Sequence, residues 1–157
     1  MVSCRWPSHT VCRFELRHMH TREELFACFP VISQLRHRLG DAASWVMRAM
    51  DMKVEGYRVF AACAGPRVVA VAGYRVMENL RHGRLLYVDD LVTAADARGE
   101  GIGTAILDAL ADIGRDECCE RMIVNAAKAN TSAHRFLKRE GLKDLTVGFI
   151  KSLETTP

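Results

Sequence analysis

The sequence lacks a dominant charge, a metal-binding cysteine pattern, a long apolar run and any internal repeat. Its 22 Lys+Arg against 19 Asp+Glu leave a net charge of +3 over 157 residues. Residues 1–60 hold 9 basic and 6 acidic side chains, and residues 61–157 hold 13 of each. A dedicated nucleic-acid reader carries a basic stripe, so no nucleic-acid partner is expected. The six cysteines are Cys4, Cys12, Cys28, Cys63, Cys118 and Cys119. None falls in a C-x-x-C pair and no Cys/His set has finger spacing, which argues against structural zinc; no metal is expected. The apolar runs, Val68 to Tyr74 among them, are far too short to span a bilayer, so no membrane partner is expected. The start, Met1 to Ser8, lacks the apolar core of a secretory signal. Reduced thiols in a cytoplasmic protein are therefore the expectation.

With 49% apolar and 26% charged residues, the composition is that of an ordinary globular chain. The length suits one domain, since domains run to roughly 100–200 residues. A chain of this size buries about 68–70% of its unfolded surface and needs no staple.

Residues 1–12 show no period and read as a loose arm before a domain spanning 13–157. Phe14 to Leu16 alternates like a short edge strand. Thr21 with Glu24 three residues on reads as a capping box. Pro30 is expected to interrupt that helix, which resumes toward Gly40. Asp41 can cap a second helix carrying Trp45, Val46, Ala49 and Met50 at helical spacing. Tyr57–Cys63 and Val68–Val76 flank Ala64-Gly65-Pro66 and read as a hairpin. Leu85–Thr93, largely apolar, reads as a central strand covered on both faces. Ile102, Ala105, Ile106, Ala109, Leu110 and Ile113 share one face of a 3.6-residue helix. Met122–Val124 reads as a strand, and a helix from Asn130 or Thr131 to Glu140 is stopped by Gly141 at C′. Val147–Leu153 is expected to be a last strand. The fold class is α/β of the α+β type: a mixed, mostly antiparallel twisted sheet flanked by helices.

The sharpest local feature is the turn Arg98, Gly99, Glu100, Gly101, Ile102, Gly103 and Thr104, between a buried strand and an amphipathic helix. A helix start presents unpaired N–H groups and the positive end of the dipole. Glycines let a phosphate approach the backbone, and Arg98 adds a fixed charge. A Walker A loop requires Lys before Ser/Thr, whereas Gly103 precedes Thr104. A dinucleotide fingerprint requires G-x-G-x-x-G on a βαβ unit, whereas here the spacing is G-x-G-x-G after a meander. A ligand-free glycine-rich helix entry is the competing reading; the strand before, the helix after and Arg98 favour a pyrophosphate site.

Arg98-x-x-Gly101-x-Gly103 resembles the Q/R-x-x-G-x-G/A signature of the GNAT superfamily of N-acetyltransferases. Tyr87 to Val92 is similar to that family's central strand. Asn130, Ala133, Phe136, Leu137, Gly141 and Leu142 are similar to its later helix. The resemblance covers residues 57 to the C-terminus well and implies a single GNAT-like domain over 13–157. It implies acetyl-CoA as co-substrate, its pyrophosphate on residues 98–104. The pantetheine arm would lie on the backbone of Leu91, Val92 and Thr93, and Asn130 would bond the same arm. It further implies direct acetyl transfer to an amine of a small molecule or protein, with residues 21–52 shaping the acceptor pocket. Such small domains often pair through the sheet or C-terminal strand, so a homodimer stays open.

Asp89 and Asp90 are the candidate catalytic carboxylates. Strand alternation sends them to opposite faces unless a bulge intervenes. Desolvation would raise a carboxylate toward useful basicity; pairing with an arginine is the structural alternative. Position in the motif suggests Asp89 as base and Asp90 as orienting group. The resemblance places a tyrosine proton donor where this chain has Leu137. That departure keeps a second reading alive: a CoA-binding or partner-binding module with weak or no turnover. Tyr74, Tyr87 and Cys63 read as core, and Trp45, Met47, Met50 and Met52 as core or pocket wall. His134, one helical turn before Leu137, has a suitable pKa but reads as a surface or packing residue. His18 and His20 read as surface residues on a loop.

Overall fold

The computed structural model describes residues 14–144 and 146–153. The expected arm at 1–12, with Cys4 and Cys12, lies outside the described residues. The chain divides into two compact units, one ending at Asn125 and the other starting at Ala126.

In the first unit, β1 (Glu15–Met19) leads to α1 (Arg22–Ile32) and α2 (Ala42–Lys53), then to β2 (Arg58–Ala64), β3 (Arg67–Asn79) and β4 (Gly83–Thr93). A 3-10 turn (Ala95–Ala97) precedes α3 (Ile102–Asp116), and β5 (Arg121–Val124) closes the sheet. The strand order is β1-β2-β3-β4-β5. The first three pairings are antiparallel and β4–β5 is parallel. This is the mixed, mostly antiparallel sheet with flanking helices that the sequence predicts.

Local chemistry explains the helix starts. Thr21 Oγ1 accepts from Glu24 N at 3.2 Å, and Glu24 Oε2 accepts from Thr21 N at 3.0 Å. The backbone N–H groups of His20 and Thr21, helped by Arg17, hold the Glu24 carboxyl at a pKa of about 2. Asp41 Oδ1 accepts from Ser44 N at 2.7 Å and caps α2. Pro30 does not interrupt the first helix. It sits in the last turn of α1, where one missing N–H costs a single bond and the helix ends two residues on.

The core is one apolar cluster. Val68 to Tyr74 of β3 are all buried. Because side chains alternate across a strand, consecutive burial means that both faces of the sheet are covered there. Helices α1 and α3 both pack on β3 and β4. Tyr74 and Cys63 are core residues, as expected. His18 differs from its expected surface loop. It lies on β1, half-buried, with Nε2 2.7 Å from the Tyr74 hydroxyl and its ring edge-on to Phe60. Burial beside His20 and Arg58 lowers its pKa.

In the second unit, α4 (Thr131–Arg139) is capped by Asn130, whose Oδ1 accepts from Ala133 N at 3.1 Å. Gly141 has φ +85 and lies just beyond the cap residue Glu140. The Leu142 N–H reaches back to Leu137 O at 3.0 Å, the helix end expected of a C′ glycine. The expected strand Val147–Leu153 is not formed. Val147, Phe149, Ile150 and Leu153 are exposed, and a strand without a ladder partner leaves its backbone groups to water.

Candidate active site

The decisive local event is in β4. Gly73 pairs with Asp90, but Tyr74 pairs with Val88, so Asp89 is an extra residue opposite the β3 ladder. That bulge overrides the two-residue alternation. Asp89 and Asp90 both line a single cavity of about 260 Å³ instead of pointing to opposite faces. Further lining comes from Ile32 of α1, Leu39 of the segment between the helices, and Trp45 and Met52 of α2. Met47 is exposed instead, and Met50 packs against the core.

The two carboxylates have different surroundings. Asp90 Oδ1 accepts from Arg36 Nε at 2.7 Å, and its Oδ2 accepts from the Tyr57 hydroxyl at 2.8 Å. Arg36 also donates to the backbone oxygen of Asp89 at 2.8 Å, clipping the segment after α1 onto the bulge. Asp89 Oδ2 accepts from Arg75 Nε at 3.2 Å, and Arg75 is shared with Glu55. Asp89 Oδ1 has no such partner among the described residues. No buried side-chain polar atom among the described residues is unsatisfied, so Oδ1 keeps some contact with solvent. Desolvation raises the Asp89 pKa above the ordinary carboxylate value against the pull of Arg75. Tyr57 is pushed up as well, by burial and then by the Asp90 charge, so its hydroxyl stays a donor.

Tyr57, Arg36 and Arg75 were not singled out as site residues by the sequence reading. One sequence signal does point to Tyr57. Gly73 interrupts an apolar strand, and a Cβ there would overlap the Tyr57 hydroxyl. A glycine inside a strand marks a bulge or a close approach, and here it marks both.

Beyond the bulge, β4 has a free edge among the described residues. β5 pairs only with Leu85–Val88, whereas Leu91, Val92 and Thr93 pair with β3 alone. The Ala94 N–H bonds Val69 O at 2.8 Å, on the β3 side. Alternation therefore turns the backbone groups of Leu91 and Thr93 to the free edge. Thr93 O accepts from Arg98 Nε at 3.3 Å, which ties Arg98 to that edge. The intervening turn is pinned by Gln34 Oε1 on Ala95 N at 3.0 Å and by Arg67 on Asp96 at 2.6 Å.

Gly101 is the N-cap of α3, with φ 77, and no side chain caps that helix. No acidic residue lies in its first turn. Gly99 has φ +83, and neither Gly99 nor Gly101 has an atom within 4 Å of where a Cβ would sit. The backbone conformation requires glycine at both positions, while the space beside them is open. Glu100 is exposed between them, Ile102 is buried, and Gly103 and Thr104 are half-buried. An uncapped, glycine-framed helix start beside a free strand edge has the donors and the room for a polyanion on a linear arm.

Asn130 and Leu137 lie in the second unit. Asn130 caps its helix, and Leu137 is half-buried. The His134 Nε2 lies 2.9 Å from Ala127 O, in keeping with a packing role. No cluster of His, Cys, Asp or Glu among the described residues could hold a metal ion. No helix among them is long and apolar enough to cross a membrane. Cys28 and Cys63 are buried free thiols, and burial pushes Cys28 up to about 12.

The fold is that of an acyltransferase that uses an acyl-CoA donor. A profile of the acetyltransferase (GNAT) family matches residues 19–142, and the chain belongs to that family. An uncharacterised N-acetyltransferase, YhdJ of Bacillus subtilis, is 27% identical over 122 residues, 77% of this chain and 85% of that protein. The thialysine N-epsilon-acetyltransferase of Bos taurus is 30% identical over 82 residues, 52% of this chain and 48% of the bovine one. Among solved structures, AAC(6')-Iy in complex with the bisubstrate analogue CoA-S-monomethyl-acetylneamine superposes with a TM-score of 0.75 at 15% identity. That match covers 88% of this chain and 97% of the other. At that identity the likeness establishes the fold.

Proposed function

We propose that this chain transfers the acetyl group of acetyl-CoA directly to an amine, within a single domain over residues 13–157. The observation that carries the reading is the bulge at Asp89, which sets a desolvated carboxylate with one open oxygen beside a free strand edge. The family uses acetyl-CoA, and the residues here fit it. The pyrophosphate would take the N–H groups of the 98–104 turn, with Arg98 beside them. The pantetheine arm would pair with the free edge of Leu91–Thr93. When bound, acetyl-CoA supplies an acyl group activated as a thioester.

The remaining chemistry belongs to the chain. An acceptor enters as an ammonium ion, whose positive charge Asp89 attracts. Asp89 Oδ1 takes one proton and leaves a neutral amine with a lone pair. Its raised pKa makes it a better base than an ordinary aspartate. Asp90 has both oxygens engaged by Arg36 and Tyr57, so it orients the site and does not take the proton. The acetylated nitrogen keeps one hydrogen, and the second proton leaves with solvent or with the departing thiol.

The family's tyrosine donor is absent at Leu137, and none of the three tyrosines is free to replace it. Tyr57 donates to Asp90, Tyr74 is bonded to His18, and Tyr87 is bonded to the Asn125 amide. This engagement favours proton delivery by water and slow turnover, and it keeps a CoA-binding module as the second reading. Calorimetry with CoA and thiol release with amines separate the two. The enzyme reading expects micromolar CoA binding, lost in Gly101→Glu through clash and charge, together with turnover. CoA binding without turnover on any amine supports the module; no CoA binding at millimolar ligand overturns both.

A further inference from the structure

Four charged side chains line the cavity at the bulge: Arg36, Arg48, Asp89 and Asp90. Arg36 and Asp90 neutralise one another at 2.7 Å. Asp89 keeps one open oxygen. Arg48 has no ion-pair or hydrogen-bond partner among the described residues. It sits on α2 with Trp45, Ala49 and Met52 at i, i+3, i+4 and i+7, all of which line the cavity. That spacing puts the four on one stripe of the helix. Trp45 and Ala49 are buried and Arg48 is exposed, so the arginine stands at the open rim of an apolar wall.

We infer that the acceptor is an amino carboxylate: an amine joined by an aliphatic body to an anion. This deepens the transfer reading above and rests on it. The amine end meets Asp89, the body lies along Trp45 and Met52, and the carboxylate meets Arg48, which offers a planar two-point donor for it. The same arrangement works against polyamines and aminoglycosides. A second ammonium group in the cavity would face Arg48 with no carboxylate left open to receive it. The cavity volume of about 260 Å³ lies below the usual range for drug-sized ligands and suits a small acceptor.

The test uses the full chain, acetyl-CoA and three matched series of aliphatic acceptors: amino carboxylates, the corresponding amino carboxamides, and diamines. Thiol release gives kcat and KM for each, and CoA affinity is measured separately by calorimetry. Wild type is expected to favour the carboxylates over the carboxamides by at least tenfold in kcat/KM, through KM, and over the diamines by more. Arg48→Ala should erase the preference and Arg48→Glu should reverse it toward diamines, with CoA affinity showing that both variants are folded. Equal use of carboxamides or diamines by wild type, or an unchanged ratio in Arg48→Glu, overturns the acceptor class while leaving the transfer reading intact. No turnover of any amine, with or without CoA binding, overturns the transfer reading and the acceptor class together.

Discussion

Strand β4 carries two different kinds of chain. From Leu85 to Val88 it has neighbours on both edges, β3 and β5, and Leu85, Leu86 and Val88 are almost wholly buried. From Asp89 to Thr93 it keeps only β3, and all but Val92 of these residues are half-buried. One extra residue at Asp89 and the end of β5 at Val124 separate the halves. Without a second neighbour, polar side chains and backbone groups can meet solvent or a ligand. The first half is held by packing and the second is available for chemistry, so substitutions in the two should fail differently.

The largest expected effect is on catalysis. Asp89→Asn removes the base and leaves an acceptor for Arg75. General-base catalysis contributes about 10²–10⁴-fold, so kcat should fall within that range while the CoA affinity read by calorimetry holds. A loss below tenfold would move the base elsewhere. Next is Leu86→Ala in the first half. Leu86 is fully buried, and its side chain is 3.6 Å from where a Cβ on Gly114 of α3 would lie. Emptying that site should cost about 2–5 kcal/mol, read as a lower urea midpoint, with kcat per folded molecule retained. If activity and stability fall together there, the two halves are not separable.

Gly73→Ala tests the junction itself. The added methyl group overlaps the Tyr57 hydroxyl, so the ring must shift and Asp90 loses a donor. Overpacking of this kind costs about 1–3 kcal/mol. Because it acts at the boundary, it should lower both the urea midpoint and kcat/KM. A variant with full activity would mean that the Tyr57–Asp90 bond does not matter to the site.

The legible parts of this molecule were those whose causes are local. The capping box at Thr21 and Glu24, the Asp41 cap, the period of α3 and the C′ glycine at 141 each lie within a few residues of what they determine. The glycine-framed turn at 98–104 was legible for the same reason. The pair Asp89 and Asp90 could be named, but not their common cavity, because the bulge is set by pairing with β3. Arg36 meets Asp90 across 54 residues, and Tyr57 meets it across 33; neither contact leaves a mark in periodicity. Readings that depend on tertiary context failed, that of His18 as a surface-loop residue among them. Pro30 fits the last turn of a helix that packing already holds, and Val147–Leu153 has strand-like residues without a ladder.

The smallest expected effect is the most specific test of the Asp89 environment. Desolvation raises its pKa in the folded state. A carboxylate with a raised folded pKa favours folding while protonated. That contribution is fully present below its unfolded pKa, near 3.9, and is lost as pH rises through the folded value. At neutral pH wild type therefore bears the cost of a charge partly removed from water, and Asp89→Asn does not. The variant that loses most activity should melt slightly higher than wild type at pH 7, a trade-off typical of active-site charges. The gain should vanish when melting is repeated below pH 4, where Asp89 is protonated in both states. A lower melting temperature at pH 7 would mean that the bond to Arg75 outweighs desolvation. In that case Asp89 would be a structural partner like Asp90, and the contrast between the two carboxylates would fail.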